Sequence, residues 1–450
     1  MRCNCLMHTK FAARLTPFAG LIFAFSALSA AEYGYVGTET YYSLDDPQSW
    51  SPSTGAVKDT YSWMAGNVFI FDSGANPGAA SQIAVKYFSD GDQPRVGEFV
   101  FKTSMTLNDP SEDASPSLAA DKMTMHSGDA ANTYLLNRFQ QVEIGSATIG
   151  ANSAEPTSAS TIFSMSFRNG AEAYYYNSAS DNFLSADVGR MSLNGALPSN
   201  PNDQNTAIWY INNQAAYSQS ASAVVRVGGI DGTGIVRNNF ADNAEGQTTL
   251  VFSNSSDASF KGILMDDWVA DVKVSKITVV MDGAADATQT IRQISNSPQS
   301  VWNRNDLDSV GTIIKSGTLA ISTQETAQLS RIRIEGGALA VAAMDSEGAG
   351  GTLYTRGIDW AGGKIKIEVN KGMISAENGI AQVGGDDARY VFEVDLSDFA
   401  PDTAFEGDEF SLLVSDSESF GDVSKYEAEF VYNGVEISGL NTKFYLRRTG

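Results

Sequence analysis

The 450-residue chain carries 53 acidic against 30 basic side chains, a formal charge of −23 that repels nucleic acid and anionic headgroups. Both cysteines, Cys3 and Cys5, and one of the two histidines, His8, fall within residues 1–31. With those residues removed as a leader, 27 basic groups face 53 acids, a net of −26, and His126 is the one histidine left. That composition excludes disulfide frameworks, thiolate metal sites, cysteine nucleophiles and two-histidine metal centres.

Residues 1–31 read as a secretory signal peptide. Arg2, Lys10 and Arg14 supply the basic start, Leu15 to Leu28 an apolar run broken by Pro17 and Gly20, and Ser29, Ala30 and Ala31 the small residues for cleavage. The run is shorter than the roughly 20 apolar residues of a membrane span and lacks a following basic stop. Cleavage is expected after Ala30 or Ala31, leaving a secreted or outer-surface protein with no membrane span.

From there the pattern is short alternating runs separated by Gly, Asn, Asp and Ser, which predicts an all-β fold. Strands are expected at Asn67 to Phe71, Glu98 to Lys102, Thr161 to Phe167, Thr248 to Phe252 and Lys273 to Met281. Thr323 to Leu329 could supply at most a turn or two of helix. Residues 32–290 form a β-rich region with polar loops at Asn152 to Ser160 and Gly195 to Asn205, and a boundary falls where Gly, Ala, Asp and Asn cluster between Asp282 and Ser300. Residues 291–385 carry repeats, and residues 386–450 form a strand-rich acidic cap.

The repeats are Gly317-Thr-Leu-Ala-Ile321, Gly337-Ala-Leu-Ala-Val341 and Gly363-Lys-Ile-Lys-Ile367. Their steps suit one coil of a β-solenoid each. Period two points Leu319, Ile321, Leu339, Val341, Ile365 and Ile367 inward and Lys364 and Lys366 to solvent, while each leading glycine turns a corner. Tandem β-sandwich domains whose strands start with glycine remain the alternative.

Candidate site residues come in three groups. The acid pairs Asp90 with Asp92, Asp266 with Asp267, and Asp386 with Asp387 could hold Ca²⁺ or act as glycosidase carboxylates, although none has a recognised metal-loop spacing and solvated turns explain them. His126 with Asp129 and a neighbouring serine could form a general base, against the simpler reading of a strand end. Tyr174, Tyr175 and Tyr176, with Trp209 and Trp268, could stack on sugar rings or pack a coil against its loop; Tyr174, Tyr176 and Trp209 are the candidates for glycan stacking. The glycines Gly228, Gly229, Gly232 and Gly234 follow a strand but no helix follows them, so a nucleotide loop is excluded in context.

The phrase Val225 to Asn238, followed by Thr249 to Phe252 and by Ser259-Phe-Lys-Gly262, resembles an element of bacterial autotransporter passengers. Thr312 to Ile321, with Lys315-Ser-Gly-Thr-Leu319, is similar to the autotransporter-associated β-strand repeat, and the likeness covers Ser222 to Val341, roughly a quarter of the chain. The resemblance implies a secreted or surface-displayed right-handed parallel β-helix. The sequence departs from that family in having no run of barrel strands before Gly450 and no C-terminal sorting tag, so autonomous translocation is not expected.

Two functional classes follow. The first is a non-catalytic structural or adhesive protein whose loops touch an extracellular glycan or other surface proteins, with no catalytic residue and no cofactor beyond Ca²⁺ at the acid pairs. The second is a β-helix polysaccharide lyase or glycoside hydrolase. The strong negative charge is poorly matched to a polyanionic substrate, which favours the first.

Overall fold

A computed structural model of the 450-residue chain describes residues 30–36, 50–51, 66–73, 75, 82–84, 95–108, 117–128, 131–139, 141–151, 160–167, 184–203, 205–214, 222–240, 247–267, 276–298, 300–304, 306–343, 350–400, 410–415, 417 and 419–438. Over these residues the protein is all-β, with a single 3₁₀ turn at Val423–Lys425. No helix among them is long and apolar enough to cross a membrane. Strand pairing is parallel except at two places, Glu32–Tyr35 with Trp50–Ser51 and Tyr426–Tyr432 with Val435–Ile437. Tandem sandwiches need antiparallel sheets throughout, so that alternative does not fit.

The strands fall into three ladders. The first runs from Leu184–Val188 through Ala223–Val227, Gln247–Phe252, Lys276–Asp282, Val310–Ser316, Arg331–Ile334 and Ile358–Trp360 to Ile380–Gln382. The second begins with Glu32–Tyr35 and Val68–Phe71 and ends with Lys364–Glu368, Tyr390–Asp395 and Tyr426–Tyr432. The long strands Arg95–Phe101, Ser117–His126 and Gln141–Ala151 join these two ladders, and Gln141–Ala151 pairs with both Leu184–Val188 and Met191–Asn194. The third ladder holds Asn132–Phe139, Thr161–Phe167, Ala207–Gln214 and the far part of Ile230–Phe240. Near the end, Gly351–Thr355, Gly372–Ala376 and Leu413–Val414 form a separate parallel sheet.

Side chains of like character stack from strand to strand in the second ladder. Leu319 is in register with Leu339, Leu339 with Ile365 and Ile365 with Phe392. Leu319, Leu339 and Ile365 are fully buried, whereas Lys364 and Lys366 are partly exposed. A parallel column runs Phe71, Phe101, Met125, Ile149 and Leu193, and then Phe260, Ile291, Ile321 and Val341, with Gly232 between its halves. Each fully buried Leu, Ile or Phe in such a column contributes about 1.5–3 kcal/mol through removal from water.

The corner between the first and second ladders explains the repeated glycines. A Cβ at Gly189 would lie 2.1 Å from the Gly145 carbonyl oxygen, and one at Gly228 would lie 1.8 Å from that of Gly189. Further along, Cβ atoms at Gly337 and Gly363 would each lie 2.5 Å from the preceding corner's carbonyl oxygen, and both residues have positive φ, +57° and +78°. Backbone packs directly on backbone there, so the glycine recurs for lack of space as well as for its φ.

Both ends of the second ladder are closed alike. Tyr35, Trp50, Phe69 and Phe71 form an aromatic plug at one end, and Trp360, Tyr390, Phe392 and Tyr426 form another at the other. Over each plug a short antiparallel strand covers the terminal backbone, which blocks edge-to-edge growth. Among the described residues, Tyr390–Asp395 and Tyr426–Tyr432 continue the parallel pairing of the second ladder beyond Lys364–Glu368.

Candidate functional site

The structure places the sequence candidates as follows. Residues 1–29, Asp90, Asp92, Asp129, Tyr174, Tyr175, Tyr176 and Trp268 lie outside the described residues. Asp386 and Asp387 sit in an exposed turn closed by the Ala388 N–H on the Gly385 carbonyl at 3.0 Å. Among the described residues no three His, Cys, Asp or Glu side chains converge to hold a metal. His126 is half-buried at the end of its strand, and burial, followed by the nearby Lys102 charge, lowers its pKa. Its carbonyl accepts hydrogen bonds from Tyr134 Oη at 2.7 Å and Asn132 Nδ2 at 3.3 Å.

Asp266 and Asp267 correct the reading of a solvated acidic turn, because both are buried, at 0 % and 6 % exposure. Asp266 is a backbone clamp: Oδ1 accepts the N–H of Ile277 at 2.6 Å and of Asn303 at 2.9 Å, and Oδ2 that of Arg304 at 3.0 Å. Its own N–H donates to Val301 and its carbonyl accepts from Asn238, so five hydrogen bonds tie three other segments to one residue. Burial pushes the carboxyl up to about 7, against the opposing pull of the three N–H donors and the Arg304 charge. A buried acid near neutrality marks many active sites, but this one faces backbone donors and no solvent, so its work is structural.

The folded-state pKa of Asp266 is raised, so the folded chain keeps a proton that the unfolded chain releases above its ordinary 3.8. Its contribution is therefore fully present below 3.8 and is lost as pH rises to about 7. Asp266→Asn should remove this downward slope while costing about 1–3 kcal/mol, since its amide cannot accept the Arg304 N–H. Urea melts of both proteins from pH 4 to 8 measure the difference; parallel curves would contradict it.

Trp209 also differs from its expected place. It is fully buried in the main core, in register with Phe163 and Val236, so no sugar reaches its face. With a period of two, a shift of one residue changes the face, and the aromatic on the outer side is Tyr210. Around Tyr210 lies a second apolar cluster, outside the third ladder: Ile162, Ile208, Ile235 and Ile263 in register, with Met265 and Ile294 beside them.

The basic member of this outer site is Arg237, in register between Tyr210 and Met265 and 9 % exposed. Its Nη2 donates to Tyr210 Oη at 2.7 Å and its Nη1 to the Pro201 carbonyl at 3.2 Å. Its Cζ stands 5.0 Å from the centre of the Tyr210 ring, a cation–π contact. The buried Nε has no partner, and among the described residues no carboxylate pairs with this guanidinium.

The segment carrying Pro201 is built to hold still. Asp203 accepts the N–H and the hydroxyl of Ser199 at 3.0 and 3.1 Å and the Asn205 N–H at 2.9 Å. Those bonds, the Ser199 N–H first, lower its pKa. Thr206 Oγ1 anchors the base of the loop on the Ala196 carbonyl at 2.6 Å. Beside Arg237, Asn239 Nδ2 donates to Asn213 Oδ1 at 3.1 Å, so partly exposed amides border the cluster.

No protein-family model, curated protein or solved structure matches the chain. The outer site offers a ring face, a guanidinium and amides, which suit binding; among the described residues this lining includes no carboxylate pair. Sequence reading missed it, although unbroken apolar runs such as Ala207 to Ile211 and Ile263 to Met265 signal strands covered on both sides.

Proposed function

We propose that the chain is a secreted or surface-displayed, non-catalytic structural and adhesive protein of the autotransporter-passenger kind, wound as a right-handed parallel β-solenoid. The observation that carries this reading is the second ladder, which continues in parallel register from Glu32–Tyr35 to Tyr426–Tyr432 through fourteen strands among the described residues. At about 4.8 Å per strand the stack is roughly 60 Å long. Stacked coils repeat their loops at one spacing, and many weak contacts of that kind hold a partner firmly without a deep pocket.

Export rests on the basic, apolar and small-residue order of residues 1–31. Ala31, at the expected cleavage junction, donates its N–H to Asn67 Oδ1 at 2.9 Å and accepts from the Val68 N–H at 2.9 Å. The protein is expected in the culture medium with an intact mass beginning at Ala31 or Glu32, and to leave a panel of neutral and acidic polysaccharides unchanged with or without Ca²⁺. Material beginning at Met1 would contradict export. Turnover abolished by replacing one Asp or Glu would make the chain a lyase or hydrolase instead.

A further inference from the structure

We draw no further inference here: the strongest candidate, the outward apolar stripe of Val251, Val280 and Ile313 in register on the first ladder between Arg226 and Arg333, carries nothing because Val251 and Val280 are only 5 % and 7 % exposed and nothing among the described residues of the structure shows what covers them.

Discussion

Leu339→Asp is expected to unfold the coils around Thr318–Ser322 and Lys364–Glu368, with a loss of about 3–5 kcal/mol or more, since it leaves a carboxylate buried without a partner. Leu339 has 0 % exposure and stands in register between Leu319 and Ile365, so no rotamer takes the new charge to water. Lys366→Asp, on the outward phase, is expected to cost under about 1 kcal/mol. Lys366 Nζ lies 3.3 Å from Glu393 with its side chain 37 % exposed, so the change removes one screened pair and adds one screened repulsion. Thermal and urea unfolding of the two variants compares them directly, and similar losses would contradict the assignment of faces.

Gly337→Ala should be almost as damaging, at about 2–4 kcal/mol. It combines the roughly 1–2 kcal/mol of a left-handed alanine with a steric clash. The φ of Gly337 is +57°, and an added Cβ would lie 2.5 Å from the Gly317 carbonyl oxygen and 3.0 Å from the backbone of Ser316. Neither neighbour is the end of a flexible side chain, so the coil itself must shift. Gly385→Ala is the control: nothing lies within 4 Å of its Cβ position, and the change is expected to stay within about 0.5 kcal/mol. Equal melting points for the two variants would show that the corner is not packed backbone on backbone.

Local patterns made much of this fold legible. Alternation at Lys364 to Ile367 sorted inward from outward residues, whereas Thr318–Ser322 is buried throughout, and Gly317, Gly337 and Gly363 marked one corner. What stayed hidden depends on distant partners. Asp266 looks like a turn acid until Asn303 and Arg304, 37 and 38 residues on, donate to it. Trp209 and Tyr210 are adjacent aromatics, and the sequence does not state which of them faces the core; a register shift between Tyr210 and Asn212 disturbs the alternation that would have decided it. Trp50–Ser51 is too short to announce a strand, yet it closes the ladder's edge. The outer site is legible only once Ile162, Ile208, Ile235 and Ile263 are known to stack.

The stacking of one coil on the next is open to a direct distance measurement, because both cysteines lie within the expected leader and leave the mature chain free for labelling. Spin labels on Lys122→Cys and Lys366→Cys would stand on the outer side of the second ladder, eight strand steps apart. At about 4.8 Å per step, pulsed electron–electron resonance should return one narrow distance near 40 Å. A distance below about 25 Å, or a broad distribution in a folded sample, would contradict a ladder that advances one strand per coil.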